Sequence, residues 1–478
     1  MSVDDRSRFI EETIPRPDES RKHRTLVLCF DGTHDEFDED NSNVVNFFRM
    51  LRKDSSEDQM VYYQAGIGTY TMPHIRGSLR EKWYKVKDAM LGVHLDNHVM
   101  GGYKFLMQNY RIGDRISLFG FSRGAYTVRV LASMLFKVGL LAKDNQEQIA
   151  FAYRMFSRGD WEGIIQCREF KKTFSIDVHI DFIGLWDTVG SIGFIRGDFK
   201  TLSTHVRCVR HALALDERRV RFEPTFFTLP TREELMMGLN WGEKAHTSKP
   251  KKKKGETTQT IEDKDYDPRK FDLEEVWFAG CHADVGGGSV TNNTRNSLSR
   301  IPLRWMVREC FKAKTGILFY KDSFKSVGLD YNMLWSEVKE RPPPVLEFSG
   351  AKPTQNSSYE WVYPDNSDFV NEEEEDLADA LSPKNDMLSL ENSRFWWILE
   401  FIPHRIRCPG TADVVEDFWT RKLSINRKRG RFIPQQIQHG VKVHRTVKIR
   451  QQKHIERSGK KYEPKAILRE GASVITVD

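Results

Sequence analysis

The segment Gly120-Phe121-Ser122-Arg123-Gly124 has the G-x-S-x-G spacing of a serine nucleophile. A hydroxyl on a tight strand-to-helix turn stands clear of the chain, and the turn closes only if the residues two places to either side are small. The flanks suit that geometry. The apolar run Arg115 to Phe121 precedes the serine, and Ala125 to Leu135 has helical spacing. The start of such a helix adds N–H donors and positive partial charge beside the hydroxyl. A plain turn serine is the rival reading. A serine nucleophile needs a base for its proton and a carboxylate to orient the base. On α/β sheets these follow in the order serine, acid, histidine. Asp187 closes the run Val178 to Trp186, and His282 opens the glycine-rich stretch His282-Ala-Asp-Val-Gly-Gly-Gly288. Ser122, Asp187 and His282 are therefore the expected catalytic residues. The competing readings are Asp187 as the cap of a turn and His282 as a structural histidine. Asp284 is a rival acid, but it lies too close to His282 to orient it and is expected to hold the glycine loop. His444 is a more distant rival base.

A tetrahedral intermediate requires oxyanion donors. One expected donor is the N–H of Arg123, the residue after the nucleophile, and the other that of Gly32 or Thr33 in an early loop. Asp31 is expected to shape that loop, and Gly120 and Gly124 to support the serine turn. Other chemistries fail on their essential residues. Phe30-Asp31-Gly32-Thr33 has part of the D-x-D-G-T phosphatase signature, but Cys29 stands where the nucleophilic aspartate would be. The sequence contains no G-x-x-x-x-G-K-[ST] and no H-E-x-x-H. The six cysteines form no CxxC pair, so no metal site is expected, and the triad needs no cofactor.

Five apolar runs end at these polar positions: Thr25 to Phe30 before Asp31, Met60 to Gln64 before Gly66, Arg115 to Phe121 before Ser122, Val178 to Trp186 before Asp187, and Glu275 to Ala279 before His282. Short apolar runs closed by turn residues predict strands buried on both faces. Helical spacing occupies Asn43 to Arg52, His94 to Asn109 and Ala125 to Leu141. The alternation predicts an α/β fold, α/β-hydrolase-like, with a mostly parallel sheet, helices on both faces, loop insertions and a C-terminal extension. In such sheets the site lies beyond the carboxyl ends of the strands, where every candidate residue falls.

The chain has 478 residues, with 74 Lys+Arg against 68 Asp+Glu and a net charge of +6. That balance is too small to imply nucleic acid. A mean hydropathy of −0.57 and the lack of a long apolar run argue against a membrane span. Eleven Trp and 30 Phe exclude wholesale disorder. Scattered cysteines and an N-terminus without a secretory pattern lead to the expectation of a cytoplasmic protein with reduced thiols. No feature specifies an oligomeric state. The expected organisation is a flexible arm over 1–23, a catalytic domain over 24–330 with a mobile insertion near 244–270, a polar and partly disordered connector over 331–391, and an aromatic and basic extension over 392–478 that packs on the catalytic domain. Lys251 to Lys254 reads as a solvated loop. The segment Arg394 to Pro403 is apolar and aromatic, with core packing as the default; a lid or peripheral membrane contact is the functional reading.

Six segments in order then carry a resemblance: Leu28 to Thr33, Tyr63 to Thr69, Gly120 to Tyr126, Gly184 to Gly190, His211 to Arg219 and His282 to Gly288. Over roughly residues 24–310 the chain resembles a largely uncharacterised α/β-hydrolase family that includes the catalytic domain of bacterial type VI secretion phospholipase effectors. The resemblance implies a serine hydrolase cleaving ester substrates, phospholipid acyl esters above all, with the triad carried onto Ser122, Asp187 and His282. The alternatives are a catalytically silent scaffold that binds a partner, and a peptidase or acyltransferase using the same triad. His211, Asp216 and Arg218 read as a buried ion-pair network, with substrate binding by Arg218 or Arg219 as the alternative.

Overall fold

The computed structural model describes residues 9–16, 23–32, 39–66, 95–158, 160–190, 205–227, 272–349, 354–355, 361–362, 369–389, 395–409, 419–434, 436–437, 439–458 and 461–478. Its centre is one eight-stranded sheet. The strands are β1 (Thr25–Phe30), β2 (Gln59–Gln64), β3 (Arg115–Phe121), β4 (Ile180–Trp186), β5 (Val206–Ala214), β6 (Asp272–Phe278), β7 (Val441–His444) and β8 (Val474–Val477). They lie in the order β2-β1-β3-β4-β5-β6-β7-β8, and every pairing is parallel. The chain leaves β1 outward to β2, then returns to place β3 on the other side of β1. That reversal opens a crevice between the loops after β1 and β3, the place where open parallel sheets hold their ligands.

Parallel strands need crossovers, and helices supply those that link β1 to β4 in turn and those from β6 to β8. Among the described residues the helices of five residues or more are α1 (Asn43–Met50), α2 (Leu95–Asn109), α3 (Ser122–Val138), α4 (Glu147–Phe156), α5 (Trp161–Phe174), α6 (His282–Gly286), α7 (Arg300–Lys312), α8 (Glu372–Ala380), α9 (Phe395–Glu400) and α10 (Thr446–Ser458). The two-residue period of a strand sorts its side chains. Leu26, Leu28 and Phe30 of β1 join the core under α2, α3, α4 and α5. Val27 and Cys29 join the opposite core with α1 and α7.

Several expectations change. Part of the arm expected to be flexible over 1–23 is docked: Thr13 and Ile14 pair with Tyr320 and Phe319, and Phe9 is buried beneath Arg52. The acidic run Glu372 to Asp376, expected in a partly disordered connector, opens the buried helix α8, where arginines of α7 and Arg341 neutralise it. The segment beyond 392 does more than lie on the domain, since it supplies β7 and β8. Strand β5, at the middle of the sheet, has no counterpart among the five predicted runs. Val441 to Ile449, whose alternation of polar and apolar residues reads as a strand, is strand only to His444 and then helix. The insertion at 244–270 lies outside the described residues.

Candidate active site

Ser122 stands where β3 ends and α3 begins, with φ of +55°. Such a backbone is costly for a residue with a Cβ and persists only where the surroundings fix it. They do so through the two glycines. A Cβ on Gly120 would fall 2.7 Å from the backbone of Ala125, and one on Gly124 would fall 2.2 Å from the carbonyl oxygen of Phe30. The spacing G-x-S-x-G is thus the condition for strand, turn and β1 to approach so closely.

The register aligns the other candidates with this turn. Phe121 pairs with Trp186, so Ser122 and Asp187 leave adjacent strands at the same level. Asp187 also has positive φ, +40°, and its N–H donates to the Ala212 carbonyl at 2.8 Å. His282 begins α6 after β6. Its Nδ1 lies 2.5 Å from Asp187 Oδ2. Its ring packs 4.7 Å from that of Phe121, beside Ser122 in the chain, and 4.8 Å from that of Phe222. Nε2 is buried and has no hydrogen-bond partner among the described residues. An ionised carboxylate on Nδ1 selects the tautomer that carries its proton there, leaving Nε2 with a lone pair to act as a base.

Electrostatics favour that state. Burial would push the Asp187 carboxyl up, but the Arg431 guanidinium and the His282 ring outweigh it and hold the group well below the usual carboxylate range. Burial pushes the His282 imidazole below its ordinary value, against the pull of Asp187, so the ring is neutral at pH 7. Asp187 Oδ1 accepts further bonds from Ala214 N at 3.0 Å and Arg431 Nη1 at 2.6 Å.

The loop after β1 is organised by Asp31. Its Oδ1 accepts the Gly32 N–H at 2.7 Å, and its Oδ2 accepts the hydroxyls of Ser42 and Tyr63, each at 2.8 Å. Ser42 in turn caps α1. The Gly32 N–H is therefore already engaged by Asp31, while Thr33 lies outside the described residues. Arg123 sits in the first turn of α3, where N–H groups have no carbonyl one turn earlier in the helix. The Asp284 carboxylate holds the turn that begins α6: its Oδ2 accepts Cys281 N at 2.8 Å and Asn385 N at 3.0 Å. His444 is not placed as a base, since its Nδ1 bonds Thr446 Oγ1 at 2.9 Å and its ring stacks on Phe278.

Sequence reasoning missed three supports. Arg431 donates from both terminal nitrogens to Asp187. Glu217 accepts the His282 N–H at 3.2 Å and pairs with Arg219. His211 accepts the Thr188 N–H at 3.1 Å and bonds Glu275, fixing the loop that follows Asp187. The expected network of His211, Asp216 and Arg218 is instead three separate partnerships: Asp216 accepts from Gly280 N and Tyr462, and Arg218 pairs with Asp386.

Residues 24–309 match the family described as "T6SS, Phospholipase effector Tle1-like, catalytic domain". The chain belongs to this family. Membership as a Tle1-like domain supports a hydrolase of the phospholipase class. A curated relative is an uncharacterized protein of Saccharomyces cerevisiae, 27% identical, with 89% of this chain and 79% of the relative covered. Two solved structures are similar to parts of it. One is an uncharacterized protein from Pseudomonas aeruginosa, 18% identical over 62% of this chain and 46% of its own, TM-score 0.33. The other is the Tle1 effector bound to the VgrG spike from the type 6 secretion system, 16% identical over 58% of this chain and 52% of its own, TM-score 0.30. The chain spans about half the length of each solved structure. Among the described residues no helix is long and apolar enough to cross a membrane.

Proposed function

We propose that this chain is a serine hydrolase of lipid acyl esters, with Ser122 as nucleophile, His282 as base and Asp187 as the acid that orients it. The observation that carries the reading is the buried Asp187–His282 pair, 2.5 Å apart, whose Nε2 has no described partner and whose ring packs on the residue preceding Ser122. In this reading Nε2 takes the Ser122 proton as Oγ attacks the ester carbonyl. Asp187 stabilises the imidazolium, and the Arg123 N–H receives charge on the carbonyl oxygen. The imidazolium then protonates the leaving alcohol, an acyl-enzyme remains, and water activated by the same ring releases the fatty acid. The N–H of Thr33 is the second oxyanion donor in this scheme. Phospholipid as substrate class follows from family membership alone.

The test is covalent labelling. A fluorophosphonate probe should label the wild-type chain at Ser122, and Ser122→Ala should abolish it. Release of fatty acid from phospholipid vesicles should fall by about 10³-fold or more in the same variant. Undiminished labelling of Ser122→Ala excludes this serine, and a folded wild-type chain inert to probe, esters and lipids favours the silent scaffold.

A further inference from the structure

Arg431 lies more than a hundred residues beyond the matched family domain, yet its guanidinium is at the centre of the candidate site. It is buried, with Nη1 2.6 Å from Asp187 Oδ1 and Nη2 2.8 Å from Asp187 Oδ2. The same two nitrogens donate to the carbonyls of Ala214, at 3.1 Å, and Phe222, at 2.7 Å. One planar group therefore fixes the carboxylate, the end of β5 and the loop whose phenyl ring packs against His282. Planar, two-pronged donation to a carboxylate is what guanidinium does and ammonium cannot.

We infer that Arg431 is a positioning residue of the triad, which holds the Asp187 carboxylate in plane with His282 and offsets part of its charge so that His282 stays a neutral base into mildly acidic solution. The inference rests on the proposed serine mechanism. An acid facing a histidine alone would favour the imidazolium, whereas a carboxylate already paired with a fixed cation favours it less. Among the described residues the other charged groups acting on His282 are Glu217 and Arg219, from the loop after β5, and these two pair with each other at 2.9 Å. The remaining neighbours identified around the ring are the phenyl groups of Phe121 and Phe222. Arg431 is thus the cation in direct contact with both oxygens of the carboxylate that the imidazole faces.

Two variants of the full chain separate this role from a purely structural one. In Arg431→Gln, the His282 titration followed by NMR of its ring Cε1–H should move up by about one pH unit, and the acidic limb of kcat/KM should move with it. In Arg431→Lys the charge remains, so the limb should return towards the wild-type position. Its kcat should nevertheless fall about tenfold with KM unchanged, because an ammonium cannot span both carboxylate oxygens. An unshifted His282 titration in folded Arg431→Gln overturns the inference. If that variant does not fold, a wild-type kcat in Arg431→Lys overturns it instead. The NMR titration needs no activity, so failure of the hydrolase reading, seen as an unlabelled wild-type Ser122, remains distinguishable.

Discussion

Two buried aspartates near the candidate site are driven in opposite directions. Asp187 is held low because Arg431 and His282 outweigh its burial. Asp284 has no such cation in direct contact among the described residues. Burial raises its carboxyl to about 6, although the N–H groups of Cys281 and Asn385 bond it and Arg450 opposes the shift. A carboxyl whose folded value lies above its unfolded value favours the fold while protonated. That contribution is complete below about pH 4 and is lost as pH rises to about 6. An asparagine at this position would keep an acceptor for the two N–H groups and never ionise. Asp284→Asn should therefore gain on the wild type by up to about 3 kcal/mol between pH 4 and pH 7, read as the change in their stability difference. Urea titrations of both proteins at the two pH values measure it. A difference that does not move with pH would mean that Asp284 is ionised throughout.

Helices α7 and α8 share an apolar core and are also joined by charge. Arg300, Arg304 and Arg308 recur every fourth residue on α7, and Glu372, Asp376 and Asp379 face them from α8. Arg304 reaches Asp376 and Asp379 at 2.6 Å each, Arg308 reaches Glu372 at 2.5 Å, and Arg341 reaches Asp376 at 2.9 Å. These side chains are almost wholly buried, so each charge depends on its partner. Arg304→Met should cost about 3–5 kcal/mol in a denaturant titration by leaving two buried carboxylates short of a cation. Adding Asp376→Asn and Asp379→Asn should recover most of that loss, which a mere packing defect at Arg304 would not allow. The same pair of helices marks what can be read from sequence. The strands carrying Asp31, Ser122, Asp187 and His282 are legible because an apolar run that stops at a polar residue reports burial and an end locally. The acidic run misleads because its neutralising arginines lie 35 to 72 residues earlier, and composition in a short window cannot register them. Strand β5 escapes for a related reason. Arg207, Arg210 and His211 break its apolar run, and their pairings with Asp181, Glu309 and Glu275 appear only when the chain folds. Arg431 looks in sequence like one more member of a basic cluster.

The sheet joins these distant pieces into a single molecule. Strands β7 and β8 extend it beyond β6, and the segment between them is tied to the site by further bonds. Ala466 N donates to Leu215 O at 2.7 Å, Ile467 N to Arg431 O at 2.7 Å, and the Tyr462 hydroxyl to Asp216 Oδ2 at 2.5 Å. Leu213, Leu215 and Trp277 share a core with Ile433, Val441, Val443 and Tyr462. A chain cut after residue 391 would lose that core and expose the edge of β6. It would also leave Asp187 buried without its guanidinium, a change of the kind that costs about 3–5 kcal/mol by itself. Together these losses are comparable with the whole stability of an ordinary domain. The 1–391 fragment should therefore show no cooperative thermal transition and no labelling at Ser122, although it contains every triad residue. Co-expression with a 392–478 fragment should restore both, because the strand edge and the unpaired carboxylate specify where that piece docks. A 1–391 fragment that melts cooperatively and labels at the wild-type rate would make the C-terminal segment an accessory rather than part of the catalytic unit.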